Sequence, residues 1–138
     1  MDKQMTKGPV RFLALGAVIA HLAISLIHGF AHQRAGVTLD VFDSAYVIVV
    51  ITLAPLLAAG LLFTRLARAG AWVLTLAMLG AFAFGLFKHF LLPGTDNVVE
   101  VHGAWHSLFL WSAVAVAVAE IAGATIGAWL LRVIARKG

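Results

Sequence analysis

Four long apolar runs, separated by short polar breaks, organise the chain. They extend from about Arg11 to His32, Ser44 to Phe63, Ala69 to Leu92 and Gly103 to Leu131. Each has the ~20 mostly apolar residues that an α-helix needs to cross a bilayer. The second is the cleanest, with no charged residue between Ser44 and Thr64. Its Pro55 cannot donate a backbone hydrogen bond and is expected to kink the helix, which membrane helices tolerate. The first run follows Lys3, Lys7 and Arg11, the flank of a signal peptide. It is longer than the ~7–15 residues of a signal core, so it is expected to be a retained helix.

The breaks are short: Gln33 to Asp43, Thr64 to Arg68 and Pro93 to His102. Short connections make sequential helices antiparallel neighbours. The expected fold is therefore all-α, an integral membrane up-down-up-down four-helix bundle forming one transmembrane domain over residues 1–138. Composition agrees. Of the 138 residues, 62% are hydrophobic and 12% charged, with a mean hydropathy of +1.00. A soluble domain is about 25% charged, so a soluble globule, a disordered tail and a nucleic-acid-binding domain are excluded. The chain has no cysteine, which removes disulfides, thiolate metal sites, iron–sulfur clusters and covalently attached haem.

The net charge of +4 acquires meaning from its placement. Lys3, Lys7, Arg11, Arg65, Arg68, Arg132, Arg136 and Lys137 fall at one end of the expected bundle, and only Arg34 and Lys88 at the other. Basic residues favour the cytoplasmic side. The protein is thus expected in the cell membrane, multi-pass, with both termini cytoplasmic. Trp72 and Trp129 lie near the inner boundary and Trp105 and Trp111 near the outer one, as an interfacial aromatic belt requires. Gly123 and Gly127 form a small-xxx-small step that suits close helix packing, either within the chain or between copies.

Histidine carries the candidate chemistry. His21, His28 and His32 are separated by steps of seven and eleven, which at about 100° per residue return to within about 20° of one face. Ser25 lies near that face. His89 ends the third run beside Lys88. His102 and His106, four apart, are expected on one face at the start of the fourth helix, with Glu120 on the same face. Five of the six histidines, all but His21, thus gather at the extracytoplasmic end beside Asp96 and Glu100. His21 and Glu120 fall at similar depth, about 15 Å above Arg11 and about 18 Å above Arg132, and are expected to form a buried polar pair.

Ionisable groups within a membrane are costly and face a partner, a cavity or a cofactor. Imidazole ligates Cu, Zn and Fe. A transition-metal site would draw on His28, His32, His89, His102 and His106, with Asp96 or Glu100 orienting the rings from behind. Haem b would need two axial histidines, His28 with His89 or His106, and Gly29, Gly85 and Gly103 offer room for a macrocycle. The layout resembles that of small four-helix membrane b-type cytochromes in architecture, which does not by itself fix function. The same groups could instead pass protons or act on a lipid, a quinone or another apolar small molecule. In a third reading His32, His89 and His102 are interfacial and need no ligand, Asp43 caps the second helix, Asp40 is a solvated loop acid and Lys88 snorkels outward. The expected function is redox or metal handling. The alternatives are a cofactor-free accessory subunit, docked through the Gly123/Gly127 face as a homo-oligomer or in a larger membrane complex, and an intramembrane enzyme.

Overall fold

The computed structural model describes residues 7–136, which are helical throughout apart from short connections, with no strand among them. Four helices are long and apolar enough to cross a membrane. They are α1 (Lys7–Ala35), α2 (Val41–Leu61), α3 (Ala67–Leu91) and α4 (His106–Ala135). Lys3 and Lys137 lie outside the described residues. Within the apolar 18-residue core of each span, between 17% and 39% of the residues are buried within the protein. Most of their apolar surface therefore faces outward, as lipid contact requires, with Phe12, Leu26 and Trp111 among the most exposed large side chains.

Local chemistry sets the helix ends. Gly36 adopts a positive φ of 71°, and Val37 N–H bonds back to His32 O at 3.0 Å, closing α1 with the left-handed cap that glycine adopts without steric penalty. Asp40, rather than Asp43, caps α2, accepting the Asp43 N–H at 2.8 Å. Asp43 is left free to meet the Lys88 ammonium in an ion pair between α2 and α3. Lys88 is thus held by a partner as well as reaching outward.

Two of the helices are not uniformly α. Val47–Leu53 of α2 and Phe87–Leu91 of α3 are π-helical. The first wide turn lies immediately before Pro55, and Ala54 N–H bonds five residues back to Val49 O. Pro55 has no N–H to contribute, and the irregularity expected from it takes the form of this widened turn. The second wide turn carries His89.

The fourth helix departs from expectation at its start. It begins at His106, not Gly103, because Gly103 sits at φ 92°, outside helical space. His102 is consequently an exposed loop residue. It does not share a helical face with His106 or Glu120.

Packing divides into two clusters. The larger joins Val10, Ala14 and Val18 of α1 to Ala58, Leu74, Met78, Ala124 and Leu130. The smaller gathers Ala31, Val98, Val101, Phe109 and Ala113 at the other end. Close approach of α3 and α4 depends on the predicted glycine step. A Cβ on Gly123 would lie 3.0 Å from Met78 Cγ, and one on Gly127 would lie 3.1 Å from the Thr75 backbone nitrogen. The step is therefore used inside the chain, facing α3, and does not offer the docking face that the accessory-subunit reading placed there.

Gly127→Ala should destabilise the protein by on the order of 1–3 kcal/mol, since overpacking against backbone cannot relax by a side-chain movement. Gly16, where an added Cβ would meet nothing within 4 Å, should accept alanine without loss. Thermal unfolding in mild detergent checks both, and equal midpoints for the two variants would contradict this account of the α3–α4 contact.

Candidate metal centre

The His21/His28/His32 face of α1 turns inward against α4 and the end of α3. His28 is 9% exposed and His89 is 7% exposed. Their Nε2 atoms lie 3.1 Å apart. One ring nitrogen from each of His28, His32 and His89 lies within 4.8 Å of the others. The His28 and His32 rings meet edge to face at 4.7 Å, and Phe109 packs against all three imidazoles at 4.9–5.6 Å between centroids. Phe109 is fully buried and forms an apolar wall behind the cluster.

The hydrogen bonds of the two closest rings decide which nitrogens are open. Ser112 Oγ donates to Phe109 O at 3.1 Å, so its oxygen accepts from His28 Nδ1–H at 2.9 Å. His89 Nδ1 faces only acceptors, donating to Asp96 O at 3.0 Å with Asp96 Oδ1 at 3.1 Å. A neutral imidazole with a protonated Nδ1 carries a lone pair on Nε2. Two lone pairs therefore point at each other across 3.1 Å, an arrangement that calls for a shared proton or a cation.

Asp96 strengthens that requirement. Its Oδ1 is also 3.3 Å from His32 Nε2, so it stands beside two imidazoles, while Oδ2 is buried without a partner. His32 Nδ1 is likewise buried without a partner. Burying polar atoms unpaired costs free energy, and Asp96 Oδ2 is an acceptor that a cation would satisfy.

The loop between α3 and α4 holds this arrangement in place. Val98 N–H bonds to His89 O at 2.9 Å, and Asp96, Asn97 and Val98 are buried. Asn97 ties the loop to itself, donating to Leu92 O at 2.9 Å and accepting from Val99 N–H at 3.0 Å. His106 donates Nε2–H to Val98 O at 3.1 Å. Its role is thus to clamp the loop, outside the imidazole cluster. Glu100 and His102 are exposed, lining a separate surface depression with Gly94 and Val101. Of the five expected ligands, the fold brings together three, His28, His32 and His89, and of the two expected orienting acids, Asp96.

Deeper in the bundle, His21 and Glu120 are 2% and 1% exposed, with His21 Nε2 3.6 Å from Glu120 Oε1. Ser25 Oγ is 3.4 Å from the same His21 nitrogen. Ser112 and Phe109 were not singled out from the sequence. Ser112 is nonetheless the sole polar residue between Ser107 and Glu120, which is the signal that marks it.

No protein-family model, curated protein or solved structure matches the chain. The reading of the site therefore rests on its own geometry.

His106→Ala should free the Val98 carbonyl and loosen the loop, at a cost of about 1–2 kcal/mol for the orphaned acceptor. Amide hydrogen exchange over residues 96–101 should quicken measurably. His102→Ala, at an exposed position, should leave the exchange pattern of that loop unchanged.

Proposed function

We propose that the protein is a multi-pass membrane protein that binds a transition-metal ion through His28, His32 and His89. The observation that carries this reading is the pair of opposed Nε2 lone pairs 3.1 Å apart. Two nitrogens at metal–nitrogen bonds of ~2.0–2.1 Å and that separation subtend about 100° at the ion, close to a tetrahedral angle. The third ring nitrogen, within 4.8 Å, has to draw in by about 1.4 Å to reach the ligand spacing of a tetrahedral site. Ser112 and Asp96 would orient the rings from behind, as partners of metal-bound histidines do. The Asp96 carboxylate would offset the ion's charge.

Three imidazoles without thiolates suit Zn, Cu or Fe. Three protein ligands leave a position for a further group, which favours metal handling or redox chemistry over a purely structural role. A small ion is favoured over haem b. The His28 and His89 rings stand edge to face at 4.8 Å, and His32 and Phe109 close the flanks where a macrocycle would extend. His106, the other expected axial ligand, is engaged by Val98 O.

The membrane orientation belongs to the same proposal. We place the four spans up-down-up-down as one domain, with both termini cytoplasmic. Arg11, Arg65, Arg68, Arg132 and Arg136 support this, standing at the end away from Arg34 and Lys88. The metal centre then opens near the extracytoplasmic face.

Protein purified through a non-histidine tag and challenged with Zn2+ or Cu2+ should retain about one ion per chain by elemental mass spectrometry. His28→Ala and His89→Ala should each weaken retention at least about tenfold, as loss of one of three ligands implies. His106→Ala should retain the ion. A wild-type protein that holds neither metal, or triad variants that hold as much as wild type, would overturn the proposal.

A further inference from the structure

A cavity of about 580 Å³ lies against the histidine cluster, within the range of pockets that take drug-sized ligands. Its walls come from all four helices. They include Ser25 and Gly29 of α1, Ile51 of α2, Phe84 and Gly85 of α3, and Glu120 of α4. The space exists because α1 and α2 diverge. α1 packs against Ala54–Leu61 of α2, whereas Val41–Leu53 packs mainly on α3 and on itself. Gly29, at the cavity rim on α1, is exposed. Gln33, Gly36 and Thr38, at the connection from α1 to α2, are the other exposed residues of its rim.

The floor of this cavity carries an unsatisfied acceptor. Glu120 is 1% exposed, and its Oε1 is beside His21, but Oε2 is buried with no hydrogen-bond partner. Gly85 keeps the floor continuous with the histidine cluster. A Cβ at position 85 would sit 3.8 Å from His89 Cδ2 and 3.9 Å from Glu120 Oε2, between the imidazole and the carboxylate. The missing side chain leaves open the passage that joins them.

We propose that this cavity binds a membrane-soluble small molecule with an apolar body and a hydroxyl head, of the alcohol or phenol class. The body occupies the apolar walls, and the hydroxyl donates to Glu120 Oε2. A donor is specified because Oε2 is an acceptor both in the carboxylate and in an acid whose proton lies on Oε1 toward His21, and a buried acceptor left unpaired costs what a ligand hydroxyl recovers. The head then lies next to the cluster of His28, His32 and His89. This goes beyond metal binding and does not depend on it, since the cavity and the unpartnered carboxylate oxygen are features of the protein alone.

The test uses the full chain in nanodiscs, with 4-nonylphenol as probe and its methyl ether, 4-nonylanisole, as the matched molecule lacking the donor. Binding is measured by equilibrium partition with empty nanodiscs subtracted, on both metal-loaded and chelator-treated protein. The phenol should bind saturably at about one per chain, and the ether at least about tenfold more weakly, the worth of one buried hydrogen bond. Gly85→Leu, which fills the passage, should weaken phenol binding to chelator-treated protein by at least about tenfold. Glu120→Gln should narrow the gap between phenol and ether. The comparison of the two probes on wild-type protein needs no variant, so a misfolded Gly85→Leu leaves it intact. Partition no greater than into empty nanodiscs, or equal binding of phenol and ether, overturns the proposal whatever the metal content. Phenol binding in a protein that retains no metal would sustain it while the metal reading falls.

Discussion

A polar atom inside a bilayer has no water to turn to, and on the proposed reading of the four apolar helices this constraint governs the protein. Its apolar faces can be placed almost anywhere against lipid. Its histidines, Asp96 and Glu120 cannot. Each must be satisfied by another part of the same chain. The result is a line of polar partners running along the inward face of α1, from His21 with Glu120, through His28 with Ser112 and His89, to His32 with Asp96. The helices are arranged so that this line meets complementary groups on α3, α4 and the loop between them. Where complementarity stops, at the opposed nitrogens of His28 and His89 and at Glu120 Oε2, the protein leaves room for something it does not itself supply.

Close helix contact makes this precision possible. α3 and α4 approach through Gly123 and Gly127 against Met78 and Thr75, and α2 and α3 through Gly70 against Leu61 and Leu62. Without a hydrophobic driving force between helices in lipid, such small-residue packing supplies the dispersion contacts that hold the bundle. It also fixes relative helix rotation. Glu120 is three residues before Gly123 on α4, so the packing that seats the glycine also aims the carboxylate. Tyr46 stacks on Phe84 at 4.7 Å where Gly80 admits its hydroxyl, giving α2 a similar anchor beside the cavity.

The sequence made the spans legible because hydropathy over ~20 residues is a strong signal. The inward face of α1 was legible because helical periodicity is regular over its length. Depth arithmetic from the flanking arginines also placed His21 level with Glu120. The same arithmetic failed for His102, which rested on a helix starting at Gly103. One residue at φ 92° removed His102 from the helix and left Glu100 in solvent. His106 kept its place on the helix, but the loop folded back and took its nitrogen. Tertiary contacts of that kind leave no periodic trace, and neither does the π-turn that carries His89. Asp40 took the cap assigned to Asp43 because it is the residue with the extended backbone immediately before the helix.

That π-turn has a counterpart in α2, and together with the two core clusters it gives the molecule an uneven mechanical character. Ala58 and Ala59, at the far end of α2, and Leu62 just beyond it belong to the large cluster, whereas no residue of Val41–Leu53 joins either cluster. The widened turn of α2 falls in the stretch outside the core clusters, ahead of the part that joins the larger one. α2 therefore behaves as a beam clamped at one end, with a joint partway along its length. Its free arm is held by the Asp40 cap, the Lys88 ion pair and the Tyr46–Phe84 stack. The larger core cluster lies at the end rich in arginine, and the arm of α2 at the end rich in histidine rests on these contacts and on α3. A bilayer that changes thickness or lateral pressure would be felt first by that arm.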